Sequence, residues 1–157
     1  MRNIVLSLAL LPMAPLAAQS PAEAEVLQVV DRFFATLADR DSSSMAGLLV
    51  PDGVMYAVLA DEPGRPPLRV THAEYLASLR QLKGRPVERY WSPAVQVDGS
   101  VATVWAPYDL HIDGDFSHCG HDVFTLVKAG DGWRIAGGVF SIRRKGCPQS
   151  PLGPVTR

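Results

Sequence analysis

Tyr108, His118 and Asp122 are the residues best suited to chemistry in this chain, and they fall within one stretch of alternating apolar side chains. An Asp among apolar neighbours is costly to bury unless it is hydrogen-bonded, and burial raises its proton affinity. That suits a general base or a neutral hydrogen-bond donor. His118 could exchange protons or orient a ligand, and Tyr108 could donate to a ligand carbonyl. Each also has a plain structural alternative. Asp122 could bond a Tyr hydroxyl or a helix-terminal N–H. His118 could sit half exposed beside Arg143, and Tyr108 could fill the core with its hydroxyl satisfied locally. Tyr56 and Asp31 are weaker candidates from the opposite wall; Asp31 lies on the edge of a helix's apolar stripe.

One hairpin also carries His111, Asp113, Asp115, Cys119 and His121. Alternation along the strands sends His111 and His121 to the face opposite His118. The clustering is sequential rather than convergent, so no metal site is expected. No CxxC, HExxH or Gly-rich phosphate pattern is present, and no cofactor is expected.

The elements that must position these residues are strands. Residues 87–97, 101–112, 116–128 and 133–144 form an antiparallel run joined by Asp98-Gly99, Asp113-Gly114-Asp115 and Gly130-Asp131-Gly132. Upstream, Leu27, Val30, Phe34 and Leu37 recur at helical spacing over residues 21–40, with Ser20 as cap and Pro21 in the first turn. A short helix at 45–49, a turn at Pro51-Asp52-Gly53, strands at 54–59 and 68–70, and a helix from Thr71 to about Leu82 follow. Thr71 and Glu74 stand at capping-box spacing. Helices segregated from an antiparallel sheet give an α+β class: a curved sheet covered by N-terminal helices, a cone with a cavity at its mouth.

The turns set the register. With Asp98-Gly99 as a two-residue turn, Val97 opposes Ser100 and Trp91 opposes Ala106. With a three-residue turn at Asp113-Gly114-Asp115, Ile112 opposes Phe116, Leu110 opposes His118, Tyr108 opposes Gly120, and Ala106 opposes Asp122. One face then collects Trp91, Pro93, Val95, Val97, Val104, Tyr108, Leu110, Phe124 and Leu126, and Asp122 falls inside that set, with Val139 across the last hairpin. The other face is mixed and holds Tyr90, Trp105, Asp109, His111, His121 and Val123.

Residues 1–19 have the form of a secretory signal peptide: Arg2, a short apolar run, then small residues. Residues 20–145 then make one domain and 146–157 an irregular Pro- and Gly-rich tail. Periplasmic or secreted localisation follows, with no membrane association after cleavage. The chain carries 15 basic and 16 acidic residues, a formal net charge of −1, which gives no reason to expect a nucleic-acid partner. Cys119 and Cys147, the only two cysteines, can pair in an oxidising compartment and would contribute roughly 3–4 kcal/mol in the loop-entropy account.

The order of elements, with Val101-Ala102-Thr103-Val104-Trp105-Ala106-Pro107-Tyr108, Phe116-Ser117-His118-Cys119-Gly120 and Gly132-Trp133-Arg134-Ile135, resembles the nuclear transport factor 2-like (SnoaL-like) superfamily, a cystatin-related cone. Within it the chain is similar to the exported putative lumazine-binding group. The resemblance implies the cone fold and makes a homodimer through the convex face a natural expectation, with Trp105 near its centre. Three functions follow. The first is a non-enzymatic domain binding a small apolar or aromatic molecule through Tyr108, Asp122, His118, Trp91, Phe124, Tyr56 and Asp31. The second is a dehydratase or isomerase using Asp122 or His118 as acid/base and Tyr108 on a carbonyl. The third is an interaction domain whose cavity is filled by its own side chains.

Overall fold

The computed structural model describes residues 19–130 and 132–155, so the signal-peptide segment up to residue 18 lies outside the described residues. Helix α1 (Pro21–Asp39) opens with a complete capping box, in which Ser20 receives the Glu23 N–H and Glu23 receives the Ser20 N–H. Its face of Val26, Val29, Val30, Phe33, Phe34 and Leu37 is buried against the sheet. Helix α2 (Ser42–Ala46) starts earlier than the spacing suggested, because Asp41 caps it by accepting from Ser43 and Ser44 N–H. Helix α3 (His72–Leu79) is capped by Thr71 and Glu74.

The strands are β1 (Leu49–Leu59), β2 (Leu68–Thr71), β3 (Pro86–Tyr90), β4 (Ala94–Asp98), β5 (Val101–Ile112), β6 (Asp115–Ala129) and β7 (Gly132–Ile142). They form one sheet in the order β2-β1-β7-β6-β5-β3, with β4 also paired to β5. All pairings are antiparallel except β1 with β7. The helices cover the concave face, and the chain is α+β as its pattern implied. The Pro51-Asp52-Gly53 turn is not a turn. It lies within β1, where the register with β7 shifts between Leu49 and Val54.

Three pairings differ from the turn-based register. The first hairpin turns at Gly99-Ser100, with Gly99 at φ 55°, so Asp98 opposes Val101 and Val97 opposes Ala102. This is a two-residue slip, which leaves every side chain on its expected face. The second hairpin turns at Asp113-Gly114, both at positive φ, and Ile112 opposes Asp115. A register shift after His111 and Phe116 then restores Leu110 opposite His118, Tyr108 opposite Gly120 and Ala106 opposite Asp122. In the last hairpin Asp122 faces Phe140 rather than Val139.

The expected strand 87–97 is two strands. Between them Ser92 takes φ 45°, in the left-handed region, and Pro93 has no N–H for the ladder. The break contains one extra residue. On one side Val95 opposes Val104; on the other Tyr90 opposes Tyr108 and Glu88 opposes Leu110. Glu88 and Tyr90 therefore point to the concave face, where an unbroken strand would have put Trp91.

Cys119 and Cys147 form a disulfide that closes a loop of sequence separation 28. It ties the tail to β6. Arg89 Nη1 donates to the Gly153 carbonyl at 2.9 Å, fixing the tail a second time. Among the described residues no helix is long and apolar enough to cross a membrane.

Candidate functional site

A cavity of about 250 Å³ lies between the helices and the concave face. Its walls are largely apolar: Phe33 and Leu37 from α1, Leu79 from α3, Met55 from β1, Phe124 from β6 and Phe140 from β7. The polar groups are few: Tyr75 and Ser78 from α3, Glu88 from β3, Tyr108 from β5, and His118 and Asp122 from β6. The cavity is not filled by the chain's own side chains, contrary to the third expectation from the sequence.

Tyr108 forms part of the floor. It is 1% exposed, and its hydroxyl donates to the Ser141 carbonyl at 2.8 Å. The ring passes over Gly120, where a Cβ would collide with that same carbonyl oxygen and press on the ring. Ser141 Oγ also accepts from the His121 N–H at 3.0 Å. The edge between β6 and β7 is thus closed by side chains here, and Tyr108 has already committed its proton. Burial holds that hydroxyl well above the ordinary tyrosine range, and the neighbouring Glu88 and Asp122 carboxyls add to the effect.

Asp122 is 5% exposed and faces the cavity. Its side-chain partner is the Glu88 carboxyl, and its Oδ2 has no hydrogen-bond partner. Burial pushes the Asp122 carboxyl up. Glu88 is pushed up as well, by burial first and then by the charge and hydrogen bond of Asp122. Two carboxyls this close in an apolar site cannot both ionise at modest cost, so they titrate as a pair with one proton held between them. Glu88 is the cavity residue that the sequence reading missed. The signal for it was Pro93, which argues against one continuous strand.

His118 is half-buried and meets the edge of the Tyr108 ring at 5.8 Å between centroids. Its Nδ1 is 3.0 Å from Ser117 Oγ. Burial, then the nearby Arg144 charge, lowers its proton affinity to a value of about 4, so it is neutral at physiological pH. Tyr75 stacks on Phe33 at 5.8 Å and 21°, bringing its hydroxyl into the same space; burial and the two carboxyls raise that hydroxyl too.

The structure brings Tyr108, His118, Asp122 and Phe124 together and leaves three sequence candidates outside. Trp91 sits at the strand break, its backbone N–H donating to the Pro107 carbonyl at 3.2 Å. Tyr56 pairs in register with Val139 on the convex face and is 41% exposed. Asp31 is exposed on α1 and accepts the Tyr90 hydroxyl at 2.6 Å. Tyr90 faces inward rather than outward, for the reason given for Glu88. No three His, Cys, Asp or Glu side chains converge as metal ligands among the described residues.

On the convex face, the register aligns Tyr56, Val139, Val123 and Trp105 in one row across four strands. Trp105 is 53% exposed, Val139 is 44% exposed, and His121 lies 5.2 Å from the Trp105 ring. Elsewhere on that face Asp109 is 5% exposed and held by Arg89 through two bonds, of 2.9 and 2.6 Å.

The model of a family described as putative lumazine-binding matches residues 21–141. No curated protein matches the chain. Solved structures share its fold. A nuclear transport factor 2-like protein with a cystatin-like fold from Novosphingobium aromaticivorans aligns with a TM-score of 0.62 at 18% identity, covering 80% of this chain and 84% of that one. A protein of unknown function with a cystatin-like fold from Nostoc punctiforme aligns at 0.62 and 12% identity, covering 83% and 94%. A protein described as a putative dehydratase of the nuclear transport factor 2-like family, from Streptomyces avermitilis, aligns at 0.61 and 18% identity, covering 77% and 95%.

Proposed function

We propose, for a chain that belongs to the putative lumazine-binding family and has the nuclear transport factor 2-like fold, a non-enzymatic role: binding one small apolar or aromatic molecule in the cone. The observation that carries this reading is the open cavity of about 250 Å³, apolar in most of its wall and polar at a few grouped atoms. Small-molecule sites have this form. Phe33, Phe124 and Phe140 would hold the body of the ligand, and Glu88, Asp122, Tyr75 and His118 its polar end. Native mass spectrometry of protein purified from its producing cells tests this. A defined extra mass, lost on denaturation, is expected. An unliganded protein that also binds no member of a small aromatic library at millimolar concentration would end the proposal.

A second reading, a dehydratase or isomerase, is favoured by one observation. Glu88 and Asp122 hold a proton inside a largely apolar site, and His118 stands neutral on the same wall. Such a pair could move a proton between two carbon or oxygen atoms of a substrate. Turnover of a hydroxy-ketone library that is lost in Glu88→Gln would favour it over simple binding.

Export and dimerisation belong to the same proposal. The signal-like residues 1–19 and the Cys119–Cys147 bond fit an oxidising compartment outside the cytoplasm. The row through Trp105 fits a homodimer contact on the convex face. Trp105→Arg should convert a dimer to a monomer in sedimentation; a wild-type monomer at tens of micromolar (order of magnitude) would contradict it.

A further inference from the structure

The Glu88–Asp122 pair has no cation. None of the ion pairs among the described residues involves either carboxyl. Asp122 lines the cavity, and its Oδ2 is buried without a hydrogen-bond partner. The rings of Phe33, Tyr75, Phe124 and Phe140 line the same space. An apolar aromatic enclosure with an uncompensated acidic end is the complement of a lipophilic cation: ring faces attract positive charge, and a carboxylate accepts from N⁺–H. Resting on the small-molecule reading above, we propose that the ligand is an organic amine, whose ammonium binds at Asp122 Oδ2 and Glu88 and whose apolar body lies against the aromatic wall.

The other charged and titratable groups around the pair do not supply this charge. Tyr75 from α3 and Tyr108 from β5 are neutral. His118 from β6 is neutral, and α1, β1 and β7 contribute only Phe33, Leu37, Met55, Phe140 and similar apolar groups. Arg144, beyond β7, is exposed and acts on His118 and Tyr108. Asp109 lies on the convex face and adds negative charge near Glu88. An arriving ammonium displaces the proton held between Glu88 and Asp122. That proton passes to solvent, so two carboxylates then face one ammonium and the site keeps its single net negative charge.

The test compares three ligands of one shape on the folded, disulfide-bonded protein: 1-naphthylmethylamine, 1-naphthylmethanol and 1-naphthoic acid, by titration calorimetry at pH 7.5. The amine should bind about tenfold tighter than the alcohol or better, and the acid weakest, as a charge-assisted bond would give. Amine binding should release a proton, seen as a heat that changes between buffers of different ionisation enthalpy. Glu88→Gln should remove the preference and the proton release while still binding the alcohol. Asp122→Asn serves the same purpose if Glu88→Gln does not fold. Equal binding of amine and alcohol, or tighter binding of the acid, would overturn the amine proposal and leave the small-molecule reading standing. Binding of none of the three would overturn the amine proposal, and the library screen above would then decide the wider reading.

Discussion

Asp109 and Asp122 are each 5% exposed, but they lie on opposite faces of the sheet and have opposite surroundings. Burial alone would raise the Asp109 carboxyl. The two Arg89 bonds, their charge and the His111 ring 3.5 Å away outweigh it and hold the group below its ordinary value. Asp122 meets another carboxyl and an open cavity instead, and its proton affinity rises. Equal burial thus yields a satisfied ion pair on one face and a charge in want of a partner on the other. The first arrangement secures a fold, since Arg89 also anchors the tail at Gly153. The second costs stability unless something else holds it, and this contrast supports the proposal that a ligand binds on the concave face.

The contrast is broken most directly at Asp109. Asp109→Ala leaves the Arg89 guanidinium half-buried without its carboxylate and should cost about 3–5 kcal/mol in urea unfolding. A cost under roughly 1 kcal/mol would mean that the pair on the convex face is no more structural than an exposed one.

A pH profile of stability sharpens the contrast with a moderate effect. Glu88 and Asp122 hold protons more tightly folded than unfolded. Their contribution is present below the unfolded carboxylate value of roughly 4 and is lost as pH rises through the folded titration. His72 and His118 have lowered proton affinity, so their contribution is present above roughly 6.5 and lost as pH falls. Asp109 likewise loses its contribution only on the acid side. Thermal unfolding should therefore show an acid limb from the histidines and Asp109, and an opposing decline from the carboxyl pair as pH rises from roughly 4 through the pair's folded titration. The double variant Glu88→Gln with Asp122→Asn should lose only that decline. If that decline persists in the double variant, the pair is not its source.

The smallest effect is expected at Asp122 itself. Asp122→Asn keeps a hydrogen-bonding shape beside Glu88 and removes the repulsion, so the midpoint should move by no more than a few degrees, for ~1 kcal/mol or less. A loss comparable to that of Asp109→Ala would give Asp122 a structural role equal to that of Asp109 and end the distinction between the faces.

Much of the fold was legible because periodicity and caps agree. Ser20, Thr71 and the apolar stripe of α1 predicted their helices, and strand β5 spans the residues expected of it. The concave placement of Asp122 was legible for a less direct reason. The second turn is one residue shorter than expected, and a register shift beyond His111 restores the difference before Leu110. The first hairpin slipped by two residues, which alternation forgives. Glu88 was not legible, because its orientation depends on a single added residue at the break beside Ser92. Side-chain types do not show such an offset, and only Pro93 hinted at it. Likewise the sequence could not show that Tyr108 commits its hydroxyl to Ser141, since that carbonyl comes from a strand thirty-odd residues away.

The break between β3 and β4 makes the charge of both faces depend on one residue of chain length. If the strand ran straight with every residue kept, the parity of β4 would pass into β3, turning Glu88 and Tyr90 outward and bringing Arg89 and Trp91 opposite Leu110 and Tyr108. The cavity would exchange an acid for a guanidinium beside Asp122, and Asp109 would lose its partner in the same step. Removing Ser92 takes that alternative away, because an unbroken strand one residue shorter keeps Glu88 opposite Leu110 and Tyr90 opposite Tyr108. Ser92 is therefore a spare residue whose accommodation in the break, rather than any contact of its own, sets the sign of the pocket.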